Sequence, residues 1–166
     1  MKTLATTLTL LALTAAPSLA AGPIGEWLTE KGDARIRIEN CGEQLWGVVT
    51  WEREPGRDSK NPDPAKRNRP TLGLPIILGM TTAGEGVWKG SIYNAENGKT
   101  YAAEIKMQKA NVLRVQGCIL SILCGAENWT RFKPKPGAVP TKQSTAKEFC
   151  EALPEAARAS HQGRLK

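Results

Sequence analysis

At 166 residues, 40% hydrophobic and +7 in formal charge, the chain has the size and apolar content of a single globular domain. Beyond the N-terminal segment no stretch is long and apolar enough to span a bilayer, and no block of like charges marks a nucleic-acid-binding tail. The one histidine, His161, sits in a polar tail, so no Ser–His or Cys–His pair is expected in the folded domain. With no C-x-x-C spacing either, no metal site is expected.

The chain opens MKTLATTLTLLALTAAPSLAAG. Lys2 supplies a positive start, Leu4 to Ala16 is apolar, and Ser18-Leu19-Ala20 puts small residues where a signal peptidase reads. A secretory signal is expected over 1–20, cleaved after Ala20, leaving a periplasmic or secreted protein without a transmembrane anchor. Losing Lys2 lowers the charge to about +6. Outside the cytoplasm the available polyanions are lipid phosphates and acidic glycans rather than nucleic acid. The plainer reading of the Lys and Arg residues is a solvated surface.

A short strand is predicted over 25–29, starting Gly25-Glu26-Trp27. After the turn Lys31-Gly32-Asp33, residues 34–39 alternate, with Ala34, Ile36 and Ile38 on one face and Arg35, Arg37 and Glu39 on the other. Residues 44–51 form a third strand in which Leu45, Gly47, Val49 and Trp51 back onto Trp46 and Val48. Both faces are apolar, so the outer one needs a cover or is a contact patch. Residues 53–70 read REPGRDSKNPDPAKRNRP, where four prolines exclude helix and central strand. This is a long loop, and loops of that length are functional or disordered.

The apolar run at 72–78 is a short strand or buried plug, counted as a strand over 75–79, and Thr81–Glu85 is a turn. A strand over 86–93 leads to Asn97-Gly98, a hairpin signal. Residues 99–108 then alternate, Tyr101, Ala103, Ile105 and Met107 against Thr100, Ala102, Glu104, Lys106 and Gln108. Strands at 111–118 and 126–132 complete the count. Lys133 to Gly137 is an extended linker. Residues 145–159 read as an amphipathic helix with Phe149, Leu153 and Ala157 on one side, interrupted at Pro154 and suited to covering an apolar outer patch.

The pattern predicts an all-β protein: a closed or nearly closed up-and-down antiparallel barrel of about eight strands with a short C-terminal helix. Its parts are a signal over 1–20, a barrel over 21–132 and a linker with helical extension over 133–166. An even strand number brings Trp27 and Arg131 to the same end, where a guanidinium over an indole is favourable. Trp27, Trp129 and Arg131 are therefore the expected closure. The same layout puts Cys41 at the floor and Cys118 and Cys124 at the mouth, so the expected disulfides are Cys118–Cys124 and Cys41–Cys150, one of three connectivities.

Gly25-x-Trp27 with a late Arg131 resembles the lipocalin and calycin pattern. The longer series resembles domain-of-unknown-function family 2147, small exported bacterial proteins. It comprises Cys41-Gly42, Asp58-x-x-Asn61-Pro62, Arg67-x-Arg69-Pro70-x-x-Gly73, Trp88-x-Gly90-x-Ile92-Tyr93, Gly98-Lys99-x-Tyr101, Leu113-x-Val115-x-Gly117-Cys118 and Trp129-x-Arg131. The resemblance implies a lipocalin-like barrel and carries no activity. The extension with Cys150 looks like an addition.

No catalytic constellation and no cofactor motif is visible, so a non-enzymatic role is expected. Asp58, Asn61 and Asp63 read as Asx turns, lacking the glycine and terminal glutamate of a calcium loop. The leading expectation is a small apolar, amphipathic or lipidic ligand against Trp88, Tyr101, Ile105, Met107, Leu113 and Val115. A filled core is the competing use of the same side chains. Arg57, Asp58, Asn61, Arg67 and Arg69 are candidates for contacting an anionic group, or for tying the loop to the wall. The alternative is an envelope interaction module that docks a protein or anionic glycan through the 53–70 loop.

Overall fold

The structure is a computed structural model and describes residues 22–119, 122–134 and 144–154. The expected signal sequence, much of the linker and the tail with His161 lie outside these. Eight strands follow one another: β1 (Gly25–Leu28), β2 (Ala34–Cys41), β3 (Gln44–Glu52), β4 (Pro75–Gly84), β5 (Val87–Asn94), β6 (Lys99–Lys109), β7 (Val112–Ile119) and β8 (Leu123–Arg131). A short helix, α1 (Ala146–Glu151), comes last. Each strand pairs antiparallel with the next, and β8 returns to β1, giving a closed barrel. The closing seam holds two residue pairs, Trp27 with Arg131 and Leu28 with Thr130, both at the floor.

The floor is packed solid. Trp27, Ile38, Met80, Ile105 and Leu113 are fully buried there. The Arg131 guanidinium lies 4.2 Å from the Trp27 ring centroid. It also donates to the carbonyls of Ala110 at 3.0 Å, Ile24 at 2.8 Å and Gly22 at 2.7 Å. Trp27 Nε1 donates to the Pro23 carbonyl at 2.7 Å. Gly25 has φ of 125°, and a Cβ there would stand 2.9 Å from the Arg131 guanidinium. The glycine two before the tryptophan thus leaves room for the arginine.

The outer face of β3 is covered as its composition requires. Trp46 packs with Phe149 and Leu153, flanked by Val48 and Leu78. A capping box between Thr145 and Glu148 starts α1, and the Cys41–Cys150 disulfide pins it to the end of β2. The second disulfide, Cys118–Cys124, closes the tip of the β7–β8 hairpin. Both are the pairings that the strand layout leads one to expect.

Six local expectations are corrected. Strand β4 does not stop before Thr81 but continues to Gly84, and its register irregularities explain why alternation fades there. Leu72 is no plug; it is half exposed outside the strand, while Leu74 is buried. Trp51 does not join the inner face. A bulge opposite Arg35 and Ile36 turns it outward, where Arg35 lies between Trp51 and Phe132. The described helix ends at Glu151, short of Pro154, and residues 155–159 of the expected helix, with Ala157, lie outside the described residues. Strand β8 also begins three residues earlier than 126, and Ala95–Gly98 form a longer turn than a two-residue hairpin.

Candidate functional site

Floor packing stops part-way up the barrel, and above it lies a cavity of about 910 Å³ that opens at the mouth. Its wall includes Ile36, Val49, Leu74, Ile92 and Val115. Part of the space lies over Gly125, whereas Gly117 makes room for Ile92, 3.1 Å from where a Cβ would stand. Gly117 faces Gly125 across β7 and β8, and a Cβ built on Gly125 meets nothing within 4 Å. Roughly 300–1,000 Å³ is the usual range for a small-molecule site.

The alternation of β8 also brings a charge inside. Leu123, Gly125, Glu127, Trp129 and Arg131 share the inner face, and Glu127 stands opposite Val115. One Glu127 oxygen accepts a 3.1 Å hydrogen bond from the Trp129 indole. At the rim, Thr29 donates to Asp33 at 2.6 Å, Thr71 donates to Glu52 at 2.8 Å, and Lys31 lies 4.0 Å from Glu96.

Of the predicted lining, Tyr101 and Val115 border this cavity. Trp88, Ile105, Met107 and Leu113 do not; they belong to the floor core. The reason is height along the strand. The period of two assigns a residue to the inner face without saying how far the packing rises. Cavity and filled core are both present, one above the other.

The long loop is ordered by a buried polar cluster. Its ends are stitched by the Arg57–Pro70 bridge and the Asp58 N–H donating to the Arg69 carbonyl. Asp58 is 0% exposed. It accepts from the Tyr93 hydroxyl at 2.5 Å, the Asn61 amide at 2.7 Å and Arg69 Nε at 2.9 Å. Burial pushes its carboxyl up, but these hydrogen bonds and the Arg69 charge more than offset that and hold it below the usual aspartate value. Burial, and then the Asp58 carboxylate, push the Tyr93 phenol above its usual value. Arg67 donates to the Asn61 carbonyl at 2.8 Å, and Arg57 to the Asn68 carbonyl. All five predicted loop residues thus hold the loop together, and Asp58 and Asn61 are buried away from any external anion. The loop rests on the β5–β6 turn at Gly98. There φ is 70°, and a Cβ would fall 1.8 Å from the Lys60 carbonyl oxygen.

Two residues of these sites escape the composition. Tyr93, the anchor of Asp58, looks like one more core aromatic. Glu127 would have been found by counting back two from Trp129 along the inward face.

Among solved structures, the fold is similar to one described as protein HP1028 from the human pathogen Helicobacter pylori, which belongs to the lipocalin family. The TM-score is 0.60 at 18% identity, over 66% of this chain and 82% of that one. The likeness identifies the barrel as lipocalin-like. Comparison with curated proteins returns no match. The family described as "Uncharacterized protein conserved in bacteria (DUF2147)" matches residues 25–131, the whole span from the first glycine of β1 to the arginine that closes the barrel, and the chain belongs to that family.

Proposed function

We propose that the protein is a non-catalytic carrier that holds a small amphipathic molecule in the barrel mouth, and that it works outside the cytoplasm. The observation that carries this reading is the open cavity of about 910 Å³, apolar in its wall and polar at its rim, above a sealed floor. Two disulfides support an oxidising compartment, and no described helix is long and apolar enough to cross a membrane. The decisive experiment is native mass spectrometry of protein purified without detergent from its own host. A co-purifying small molecule released on unfolding is expected. Ligand-free protein that also fails to take up a fluorescent amphiphile would contradict the carrier role.

A second reading is an interaction module for an envelope protein or anionic glycan. It draws on Arg57, Lys60, Lys66 and Arg67, which remain exposed on the 53–70 loop. It also draws on Ile122 and Leu123, 81% and 71% exposed at the disulfide-closed tip. Partner capture abolished by charge reversal on the loop, with amphiphile binding untouched, would favour it.

A further inference from the structure

We infer that the mouth cavity selects a cationic amphiphile, an apolar body bearing an amine, over an anionic one. This rests on the carrier reading above and adds the sign of the ligand's charge. The chain as a whole is basic, with 23 Lys and Arg against 16 Asp and Glu. The cavity reverses that balance. Among the described residues, Asp33, Glu52, Glu54, Glu96 and Glu127 line it, against Lys31 and Arg53. The basic residues of the 53–70 loop are not in the lining beyond Arg53.

The two cations are already engaged. Lys31 faces Glu96 at 4.0 Å, and Arg53 donates to the Gly32 carbonyl at 2.8 Å. Rim carboxylates alone would mean little, since water solvates them. Glu127 is different. It sits on the inner face one register step above buried Trp129, beside apolar Val115, and no described lysine or arginine pairs with it. The Trp129 N–H fixes one carboxylate oxygen and leaves the other able to accept. An ammonium there gains a charge-assisted hydrogen bond beside the apolar surfaces of Val115 and Trp129. A carboxylate or phosphate meets like charge there, and no described lysine or arginine pairs with Glu127 to relieve it.

The test uses the disulfide-intact protein, with N-phenyl-1-naphthylamine as reporter. Dodecylammonium, dodecanoate and dodecanol compete at pH 7 below their micellar concentrations. Dodecylammonium is expected to compete at least about tenfold better than dodecanoate, an advantage that salt weakens. Glu127→Gln is expected to remove most of that advantage and to change dodecanol binding far less than dodecylammonium binding. Equal competition by the two ions, or a better dodecanoate, overturns the charge assignment and leaves the carrier reading standing. Preference retained in Glu127→Gln removes Glu127 from the assignment. No binding of the reporter or of any competitor overturns the carrier reading itself.

Discussion

Asp58 is the residue on which the long loop turns. Three groups meet at its carboxylate: a phenol, an amide and a guanidinium. Removing one member of a buried charged cluster leaves the rest unsatisfied, so Asp58→Asn is expected to lower stability by about 2–4 kcal/mol at neutral pH. The folded-state pKa of Asp58 is depressed. Its contribution is therefore complete above the unfolded aspartate pKa of about 4 and is lost as pH falls through the folded value. Urea unfolding should show the gap between wild type and Asp58→Asn shrinking from pH 7 to about pH 3. A gap independent of pH would remove the carboxylate from the account. In the sequence, the Asx-rich loop announced side-chain turns onto the following backbone, which Asn61 and Asp63 make at the Asp63 and Ala65 N–H groups, whereas the Asp58 carboxylate turns inward to side chains instead. The loop did not announce Tyr93, because a bond between residues 35 apart depends on how the loop folds back over β5.

At the scale of elements, the short β1 depends on what lies beside it. Two residue pairs close the seam, so Arg131 carries much of the closure through Trp27 and three carbonyls. Arg131→Ala is expected to cost about 2 kcal/mol, and Arg131→Lys to recover less than half, since an ammonium lacks the planar fork. Chemical denaturation of both variants checks this; full rescue by lysine would reduce the contact to simple charge. The helix is held from outside the sheet. Replacing Cys41 and Cys150 by serine is expected to cost about 4 kcal/mol, because the loop they close is long. It should also uncover Trp46 and raise binding of an apolar dye; an unchanged dye response would mean that α1 stays docked by packing alone. Eight strands were countable in the sequence, the fourth only as a short strand or buried plug, and an even number fixed which ends share a pole. Strand β4 and Trp51 were misplaced because bulges shift side chains between faces, and a bulge leaves no mark in a period of two.

Taken whole, the molecule is a barrel sealed below and open above. The seal was legible because Trp27 and Arg131, at the two ends of the barrel segment, need each other. The cavity was legible only as an inner face of residues, Tyr101 and Val115 among them. Which of them stand over empty space depends on the height to which Trp129, Ile105 and Leu113 fill the floor. Gly125 gives the most direct measurement. Its Cβ position is vacant and looks into the cavity from β8. Titration of N-phenyl-1-naphthylamine should show saturable binding to the wild type, and binding should weaken at least about tenfold in Gly125→Trp with the melting temperature preserved. Unchanged affinity in a folded Gly125→Trp protein would contradict a ligand site in the barrel mouth.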